Sequence, residues 1–291
     1  MHNPYSLKPE MVRGCTMRCV FCSLRHQTWA EEKYEYISEE LWKQYIDAVA
    51  EWLPKCRMEI ANRGEQTIHS KFLELIAYAR QKLPRVQILV STNGDLSQKI
   101  REENYVFWVD QAQQAGVNIF MFDCYTQPRL DQFTRLFSGR TELFFDGFNP
   151  YPYRSGKFKA LCIKDAVPRP VKENRILQYH NQGGNAVVSG KAAELYNIPV
   201  LEEPLQRMCA RPFREMPMWL DGSIPICCDD WADKGVVGKF PDKTLKELWL
   251  LYDPYRKNLL EKNRGAQKPC DKCSERAGFR WALEKKWFDE K

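Results

Sequence analysis

The stretch Cys15-Thr16-Met17-Arg18-Cys19-Val20-Phe21-Cys22 places three cysteines within eight residues, in the spacing Cys-x3-Cys-x2-Cys. Three thiolates on one short loop can hold three corners of an iron–sulfur cube, and they leave the fourth iron without a protein ligand. Clusters that only carry electrons usually have four cysteine ligands. The open corner therefore indicates a site where another molecule binds iron and where chemistry takes place.

The composition bounds the class of protein. The chain has 291 residues, of which 44% are hydrophobic, enough for a barrel-sized domain and a small second unit. It contains eleven cysteines, no hydrophobic signal precedes Cys15, and no apolar run approaches the ~20 residues of a membrane span. This combination predicts metal ligation in a reducing cytoplasm, without a membrane partner. The net charge of +6 is spread among 38 acidic residues, so a nucleic-acid partner is not required.

The first half of the chain alternates strand and helix patterns. The strands predicted from the pattern lie at 57–61, 86–90, 117–122, 142–145 and 159–163, whereas residues 6–14, with Lys8, Pro9 and Glu10, are a poor strand by pattern alone. The predicted helices are one that Ser38 caps and Pro54 ends, and those at 70–82, 98–115 and 127–137. This order predicts an α/β fold of parallel β/α units. Ligands of such folds bind at the carboxyl ends of the strands.

The cysteine triplet, with Phe21 just before its last member, resembles the signature of the radical S-adenosylmethionine (SAM) superfamily. The resemblance implies a partial (β/α)6 TIM-like barrel over residues 1–165, extending to about residue 200, with a short strand within 6–14 before the cysteine loop. It implies that Cys15, Cys19 and Cys22 hold a [4Fe–4S] cluster whose open iron binds the amino and carboxylate groups of SAM. In this family, one electron from a reductant such as flavodoxin or ferredoxin cleaves SAM to methionine and a 5′-deoxyadenosyl radical, which abstracts a substrate hydrogen.

Two segments at predicted strand ends extend the resemblance. Arg63-Gly64-Glu65-Gln66-Thr67 is similar to the family's Gly-Glu-Pro motif, with glutamine in place of proline, and Ser91-Thr92-Asn93-Gly94 resembles its Thr-Asn-Gly segment. The resemblance implies that the first segment binds the amino group of SAM and the second its ribose and carboxylate. The SAM-binding positions implied in this way are Phe21, Gly64, Glu65, Ser91 and Asn93. The alternatives are a solvated loop glutamate, an Asn-Gly turn and a structural aromatic residue.

A second cysteine set follows residue 205 and consists of Cys209, Cys227, Cys270 and Cys273. The spacing Cys209-x12-Gly222-x4-Cys227 resembles the opening of the SPASM extension of radical SAM enzymes, and the absence of cysteines after Cys273 resembles its shorter Twitch variant. The resemblance implies a small α+β extension over residues 205–291 that holds an auxiliary [4Fe–4S] cluster. The alternatives are a four-cysteine zinc ribbon here, and a zinc site at the first triplet with His26 as fourth ligand.

Together, the two resemblances imply a radical SAM oxidoreductase that acts on a small polar molecule or a peptide, with the auxiliary cluster as electron acceptor. The first alternative is a redox-neutral epimerase or isomerase in which the thiol of Cys228 or Cys124 returns hydrogen. The second is a non-catalytic zinc-binding protein. Cys228 would face away from its neighbour Cys227 on a strand, and Cys124 could equally be a buried apolar thiol. Residues 181–185, Asn-Gln-Gly-Gly-Asn, are predicted to form a turn.

Overall fold

The computed structural model describes residues 2–27, 34–95, 100–145, 158–167, 180–189, 196 and 198–277. A seven-stranded parallel sheet, covered by helices on its outer face, forms the main body. Within the described residues, none of the helices combines the length and the apolar character that crossing a membrane requires.

The described strands are β1 (Ser6–Pro9), β2 (Val12–Arg13), β3 (Glu35–Tyr36), β4 (Arg57–Ile60), β5 (Gln87–Thr92), β6 (Ile119–Cys124), β7 (Leu143–Phe145), β8 (Ala160–Asp165), β9 (Glu215–Met218), β10 (Ser223–Pro225) and β11 (Val236–Lys239). The described helices are α1 (Glu39–Trp52), α2 (Phe72–Lys82), α3 (Tyr105–Ala115), α4 (Gln127–Leu136), α5 (Arg211–Arg214), α6 (Leu245–Leu250) and α7 (Asp253–Leu260). Short 3-10 turns lie at Ser23–His26, Gln66–Ile68, Glu102–Asn104, Gln182–Gly184 and Arg264–Ala266.

The sheet order is β7-β8-β6-β5-β4-β1-β9, and all neighbouring strands are parallel. All six strands predicted from the sequence are present in it. The prediction of an α/β fold with a partial, TIM-like barrel is confirmed. Its strand order follows the chain from β1 through β4 and β5 to β6, after which β8 inserts between β6 and β7.

Helix α1 forms where its sequence pattern predicts. The Ser38 side chain accepts a hydrogen bond from Leu41 N, which satisfies one of the unpaired amides of the first turn. The buried face of the helix includes Trp42, whose Nε1 donates to Leu75 O of α2 at 2.9 Å. Burying one side chain of this kind contributes about 1.5–3 kcal/mol. The contact fixes α1 against α2 on the outside of the sheet.

Strand β9 was not predicted from the sequence. Its four residues read Glu-Met-Pro-Met, which lacks the β-branched content of a strand, yet all four are buried. It pairs with β1 in the register Ser6↔Glu215 and lies at one end of the seven-stranded order, where proline is tolerated. The predicted helix at 244–252 is present as α6, which begins with a capping box between Thr244 and Glu247.

A buried ion pair ties the start of the chain to its C-terminal part. Arg63 Nε and Nη2 lie 3.0 Å from Glu10 Oε1 and Oε2, and both side chains have no solvent exposure. The same guanidinium lies 3.8 Å from the ring centroid of Trp219, and its Nη1 donates to Asp233 Oδ1 at 2.8 Å. The buried Arg63 guanidinium therefore joins Glu10, near the start of the chain, to Trp219 and Asp233 in its C-terminal part.

Candidate active site

A cavity opens at the carboxyl ends of β4, β5 and β6, beside the cysteine loop. Its lining consists of Cys15, Met17, Cys19, Phe21, Cys22, Leu24, Ala61, Asn62, Gly64, Glu65, Ser91, Thr92, Asn93, Asp123, Tyr125, Gln182 and Trp231. The three cysteines of the N-terminal triplet and all five predicted SAM-binding positions are in this set. The location is the one at which parallel α/β folds bind their ligands.

The N-terminal cysteines are partly buried and electrostatically coupled. Burial raises the pKa of each of the three thiols, Cys15, Cys19 and Cys22, to about 12. Thiolates at these positions therefore need a bound cation, which fits ligation of a metal cluster. Cys15 Sγ already accepts hydrogen bonds from Met17 N at 3.4 Å and from Asn93 Nδ2 at 3.3 Å. Such N–H donors stabilise negative charge on a ligating sulfur.

Glu65 joins the cysteine loop to the end of β5. Its carboxylate is buried, and burial raises its pKa. Oε1 accepts hydrogen bonds from Thr67 N, Thr67 Oγ1 and Thr92 Oγ1, at 3.2, 2.6 and 2.9 Å. Oε2 accepts one from Asn93 N at 2.8 Å. Glu65 thus holds Asn93, which in turn contacts the Cys15 sulfur.

Gly64 lies where two segments of the chain come into close backbone contact. Its backbone forms a parallel bridge with Gly14, directly before the cysteine loop. A Cβ at residue 64 would lie 2.2 Å from Gly14 O and 2.6 Å from Val12 O. The close approach that glycine permits here is therefore to the protein's own backbone.

Gln66 occupies the position at which the family motif has proline. Its Oε1 accepts hydrogen bonds from Met11 N at 2.6 Å and Val12 N at 2.9 Å, and its Nε2 donates to Val12 O at 3.0 Å. The side chain is fully buried. This departure from the motif supplies a polar clamp on the segment that leads into the cysteine loop, a role that the sequence alone did not reveal.

The opposite wall combines polar and aromatic groups. Ser91 Oγ donates to Asp123 Oδ2 at 2.7 Å, and Lys164 Nζ lies 3.2 Å from Asp123 Oδ1. Phe21 packs against Tyr125 and Tyr196, each with ring centroids 5.1 Å from its own. The cavity therefore has an aromatic side and a hydrogen-bonding side.

Cys124 lies in the hydrophobic core, with no solvent exposure, and is not part of the cavity lining. The alternation of β6 explains this position. Asp123 points into the barrel, so its neighbour Cys124 points towards the helices, as Phe122 does. Its placement favours the apolar alternative over a role as hydrogen donor.

The C-terminal cysteines come from three separate segments. Cys209 precedes α5, Cys227 follows β10, and Cys270 and Cys273 lie in the loop after α7. Cys209, Cys227 and Cys270 pack in one buried cluster. Burial raises the pKa of Cys270 to about 11 and that of Cys273 to about 12. As in the first set, this donor chemistry fits a metal cluster that neutralises the thiolates.

Backbone and side-chain donors surround these sulfurs as well. Asp229 N lies 3.4 Å from Cys227 Sγ, and Glu275 N lies 3.4 Å from Cys273 Sγ. Gln267 Nε2 lies 3.5 Å from Cys270 Sγ. The arrangement repeats the N–H to sulfur contacts of the N-terminal loop.

Cys228 is held in a charged environment beside this set. Arg211 Nη1 lies 2.8 Å from its sulfur, and Lys8 Nζ lies 4.0 Å away. A hydrogen bond from Cys227, followed by the charges of Lys8 and Arg211, lowers its pKa. Cys228 is not among the residues that line the described cavity.

One group of three metal-binding side chains among the described residues brings its donor atoms within 4.8 Å of one another: His180, Asp229 and Glu275. Arg211 pairs with both carboxylates of this group, at 3.2 Å to Asp229 Oδ1 and 2.6 Å to Glu275 Oε2. The guanidinium already supplies the positive charge that a metal ion would bring. The group is therefore an ion-pair network.

Among the cavity residues that the sequence did not mark, two come from the part of the chain after residue 165. Trp231 packs against Leu24, Cys15 and Cys22, although it lies in the C-terminal part of the chain. Gln182 belongs to the segment predicted as a turn, and the segment does form a 3-10 turn. No local pattern marks either residue as part of a site, because each reaches the cavity only through tertiary packing.

Comparison with known proteins agrees with this geometry. Residues 10–124 match the sequence model of the Radical SAM superfamily. This part of the chain belongs to the radical SAM superfamily. The match ends at the carboxyl end of β6, so it includes the cysteine loop, Gly64, Glu65, Ser91 and Asn93.

The radical SAM segment lies within a fold that solved structures share over nearly the whole chain. BtrN in complex with AdoMet (that is, SAM) and 2-DOIA is 17% identical, with 94% of each chain covered and a TM-score of 0.63. Selenomethionine BtrN in an open conformation is 14% identical, with 94% of each chain covered and a TM-score of 0.59. Hexahistidine-tagged anSMEcpe with bound AdoMet is 16% identical, with 85% of this chain and 80% of that chain covered and a TM-score of 0.50. No curated protein sequence matches the chain significantly.

Proposed function

We propose that this radical SAM protein cleaves SAM reductively and oxidises a small polar substrate, using a second cluster as electron acceptor. The observation that carries the proposal is the position of Cys15, Cys19 and Cys22 on the wall of one cavity at the strand ends. Three ligands from one loop leave one iron of a four-iron cluster available to SAM.

The cavity residues offer a contact for each part of the SAM molecule. Gly64 and the Oε2 oxygen of Glu65 are the acceptors for its amino group, and Ser91 and Asn93 are the partners of its ribose and carboxylate. The aromatic side at Phe21 suits the adenine ring. Cys15, Cys19 and Cys22 would hold the cluster, which would supply the electron that cleaves SAM to methionine and the 5′-deoxyadenosyl radical, the species that would remove a substrate hydrogen.

The C-terminal cysteine set supports an iron–sulfur cluster better than a zinc ion. A tetrahedral zinc site with Zn–S bonds of about 2.3 Å brings its sulfurs to about 3.8 Å from one another. Among the described residues, no three cysteine sulfurs lie within 4.8 Å of one another. The wider spacing suits a four-iron cube with Cys209, Cys227, Cys270 and Cys273 as ligands, and such a cluster can accept the second electron of an oxidation.

The inner face of the barrel favours a polar substrate. Leu7 of β1 points into the core, so Lys8 points into the barrel. Lys8 Nζ lies 2.9 Å from both Glu59 Oε2 and Glu215 Oε2. These three groups pair with one another and do not line the cavity, whereas the polar atoms of Asn62, Ser91 and Asp123, which do line it, suit hydroxyl or amino groups of a ligand. The overall likeness to BtrN, whose complex contains 2-DOIA beside AdoMet, is in keeping with a compact substrate.

The redox-neutral alternative needs a thiol that can give a hydrogen atom to a substrate radical. Cys228 is not among the residues that line the cavity, and Arg211 Nη1 at 2.8 Å and Lys8 Nζ at 4.0 Å stabilise negative charge on its sulfur. Cys124 lies in the core. Oxidation therefore fits the described thiols better than epimerisation does.

The experiment is anaerobic reconstitution of the full chain, followed by iron, sulfide and zinc analysis. We expect about eight irons per chain and formation of 5′-deoxyadenosine from SAM in the presence of a reductant. The C15A/C19A/C22A variant should keep about four irons and form no 5′-deoxyadenosine. A matched control is Cys56→Ala, since this thiol lies in the core outside both sets. Zinc without iron–sulfur absorbance would contradict the proposal.

A further inference from the structure

Residues 181–185, here called the bridge segment, lie between the two cysteine sets. On one side, Gln182 lines the active-site cavity. Its Oε1 accepts a hydrogen bond from Ser23 N at 2.6 Å, and Ser23 directly follows Cys22. Cys22 makes no side-chain cap to the 3-10 turn that begins at Ser23. The Gln182 amide therefore supplies the hydrogen-bond acceptor for the first amide of this turn.

On its other side, the bridge segment is bound to the loop that carries Cys270 and Cys273. Asn181 Oδ1 accepts a hydrogen bond from Ser274 N at 2.8 Å, and Asn181 Nδ2 donates to Lys272 O at 2.7 Å. Asn181 N also donates to Ser274 Oγ at 2.8 Å. Lys272 and Ser274 are the residues on either side of Cys273. One buried side chain thus holds the bridge segment to both neighbours of this ligand.

The backbone of the bridge segment is shaped by this contact. Gln182, Gly183 and Gly184 have φ angles of 44°, 68° and 82°, all in the left-handed region. A Cβ at Gly183 would lie 2.6 Å from Asp229 O, and one at Gly184 would lie 2.7 Å from Lys272 Cβ. A left-handed glutamine persists only where its surroundings fix it. Here the C-terminal part of the chain fixes it and thereby aims the Gln182 amide at the cavity.

We propose that the bridge segment transmits the position of the C-terminal cysteine loop to the SAM pocket, with Gln182 as the positioning residue. The inference rests on the proposed function, because it takes SAM as the ligand of the cavity. Oε1 of Gln182 accepts the hydrogen bond from Ser23 N and so holds the Cys22 end of the cysteine loop. Nε2 of the same amide has no acceptor among the described residues, so it is available to bound SAM. Loss of the auxiliary cluster therefore weakens SAM binding without touching the pocket itself.

The test uses the full-length, anaerobically reconstituted protein and the variant Gln182→Leu. We expect about eight irons per chain, an altered EPR signal of the reduced catalytic cluster, and a Kd for SAM raised about tenfold, equivalent to about 1.4 kcal/mol. Gln182→Glu keeps an acceptor for Ser23 N, so the EPR signal without SAM should return to that of the wild type. Gln44→Leu is the control, because Gln44 is exposed on α1 and remote from the cavity.

A second variant tests transmission from the distant side. C270A/C273A should keep about four irons, and its Kd for SAM should rise as in Gln182→Leu. Wild-type affinity for SAM in C270A/C273A, or wild-type affinity and EPR signal in Gln182→Leu, would overturn the inference. A wild-type chain that binds its irons but no SAM would instead overturn the proposed function, and the inference with it.

Discussion

The two cysteine sets differ in how they are built. The N-terminal set comes from one loop of eight residues, lines a cavity and contributes three sulfurs. The C-terminal set is assembled from three segments, and its members Cys209, Cys227, Cys270 and Cys273 are only 6, 8, 8 and 7% exposed. The first set is open to a ligand on one side, whereas the second is enclosed by protein.

Under the proposed function, the difference separates two tasks that metal sites perform. A site that must bind SAM needs an accessible face and a frame that holds its loop, which Gly64, Glu65 and Gln66 provide. A site that only exchanges electrons, or only stabilises the fold, gains from four ligands and burial. Substitutions at the strand ends that abolish metal binding by the N-terminal cysteines should therefore leave metal binding by the C-terminal cysteines intact.

The largest effect is expected for Gly64→Ala, which tests whether the open set depends on its frame. The new Cβ would lie 2.2 Å from Gly14 O, so the cysteine loop must move. We expect iron to fall from about eight to about four per chain, with no SAM cleavage. Gly265→Ala is the control, since its Cβ would meet its nearest atom at 3.4 Å. Full iron content and turnover in Gly64→Ala would show that the loop is not framed in this way.

Arg63→Met is expected to have the next largest effect, and it tests whether both regions fold together. The change removes the two-point ion pair of the buried Glu10 carboxylate, which keeps only Leu220 N at 3.0 Å and Arg13 Nη2 at 3.9 Å, and breaking such a buried pair costs at most about 3–5 kcal/mol. The thermal midpoint should fall in one transition that includes both clusters. Arg135→Met is the control. It removes an exposed ion pair with Glu102, which contributes at most about 1 kcal/mol, so its thermal midpoint should stay close to that of the wild type. Two separate transitions in Arg63→Met would show that the regions unfold independently.

Gln66→Pro should have the smallest effect of the three. Proline suits the first position of the 3-10 turn at 66–68, but it removes the clamp on Met11 N and Val12 N. Leaving buried amides unpaired costs about 1–3 kcal/mol. Chemical denaturation should show this loss, with iron content unchanged. Gln66→Glu keeps the acceptor and should lose less stability than Gln66→Pro, and the reverse order would refute the clamp.

Local patterns made the open set readable from the sequence. Three cysteines on one loop need no knowledge of the fold, and Gly64 and Ser91 follow predicted strands, so the rule that ligands bind at strand ends brings them together. Local sequence patterns also located five of the six predicted strands of the sheet and the Ser38 cap of α1, whereas the strand before the cysteine loop is implied only by the family resemblance.

Features that depend on distant pairing could not be read in this way. Strand β9 contains a proline and no β-branched residue, and it is a strand because β1 offers it a free edge. Trp231 and Gln182 reach the cavity only because the C-terminal part packs against the cysteine loop. The direction of Cys124 required the register of β6, which places Asp123 inside the barrel.

The composite wall of the cavity has a consequence for biosynthesis. When a nascent chain has emerged as far as β8, it carries the cysteine triplet and the strand-end residues but neither Gln182 nor Trp231. The Asn181 contacts that fix the bridge segment require Ser274 as well. The ligand cavity is therefore completed only after Ser274 has been synthesised, long after the first three cysteines have left the ribosome.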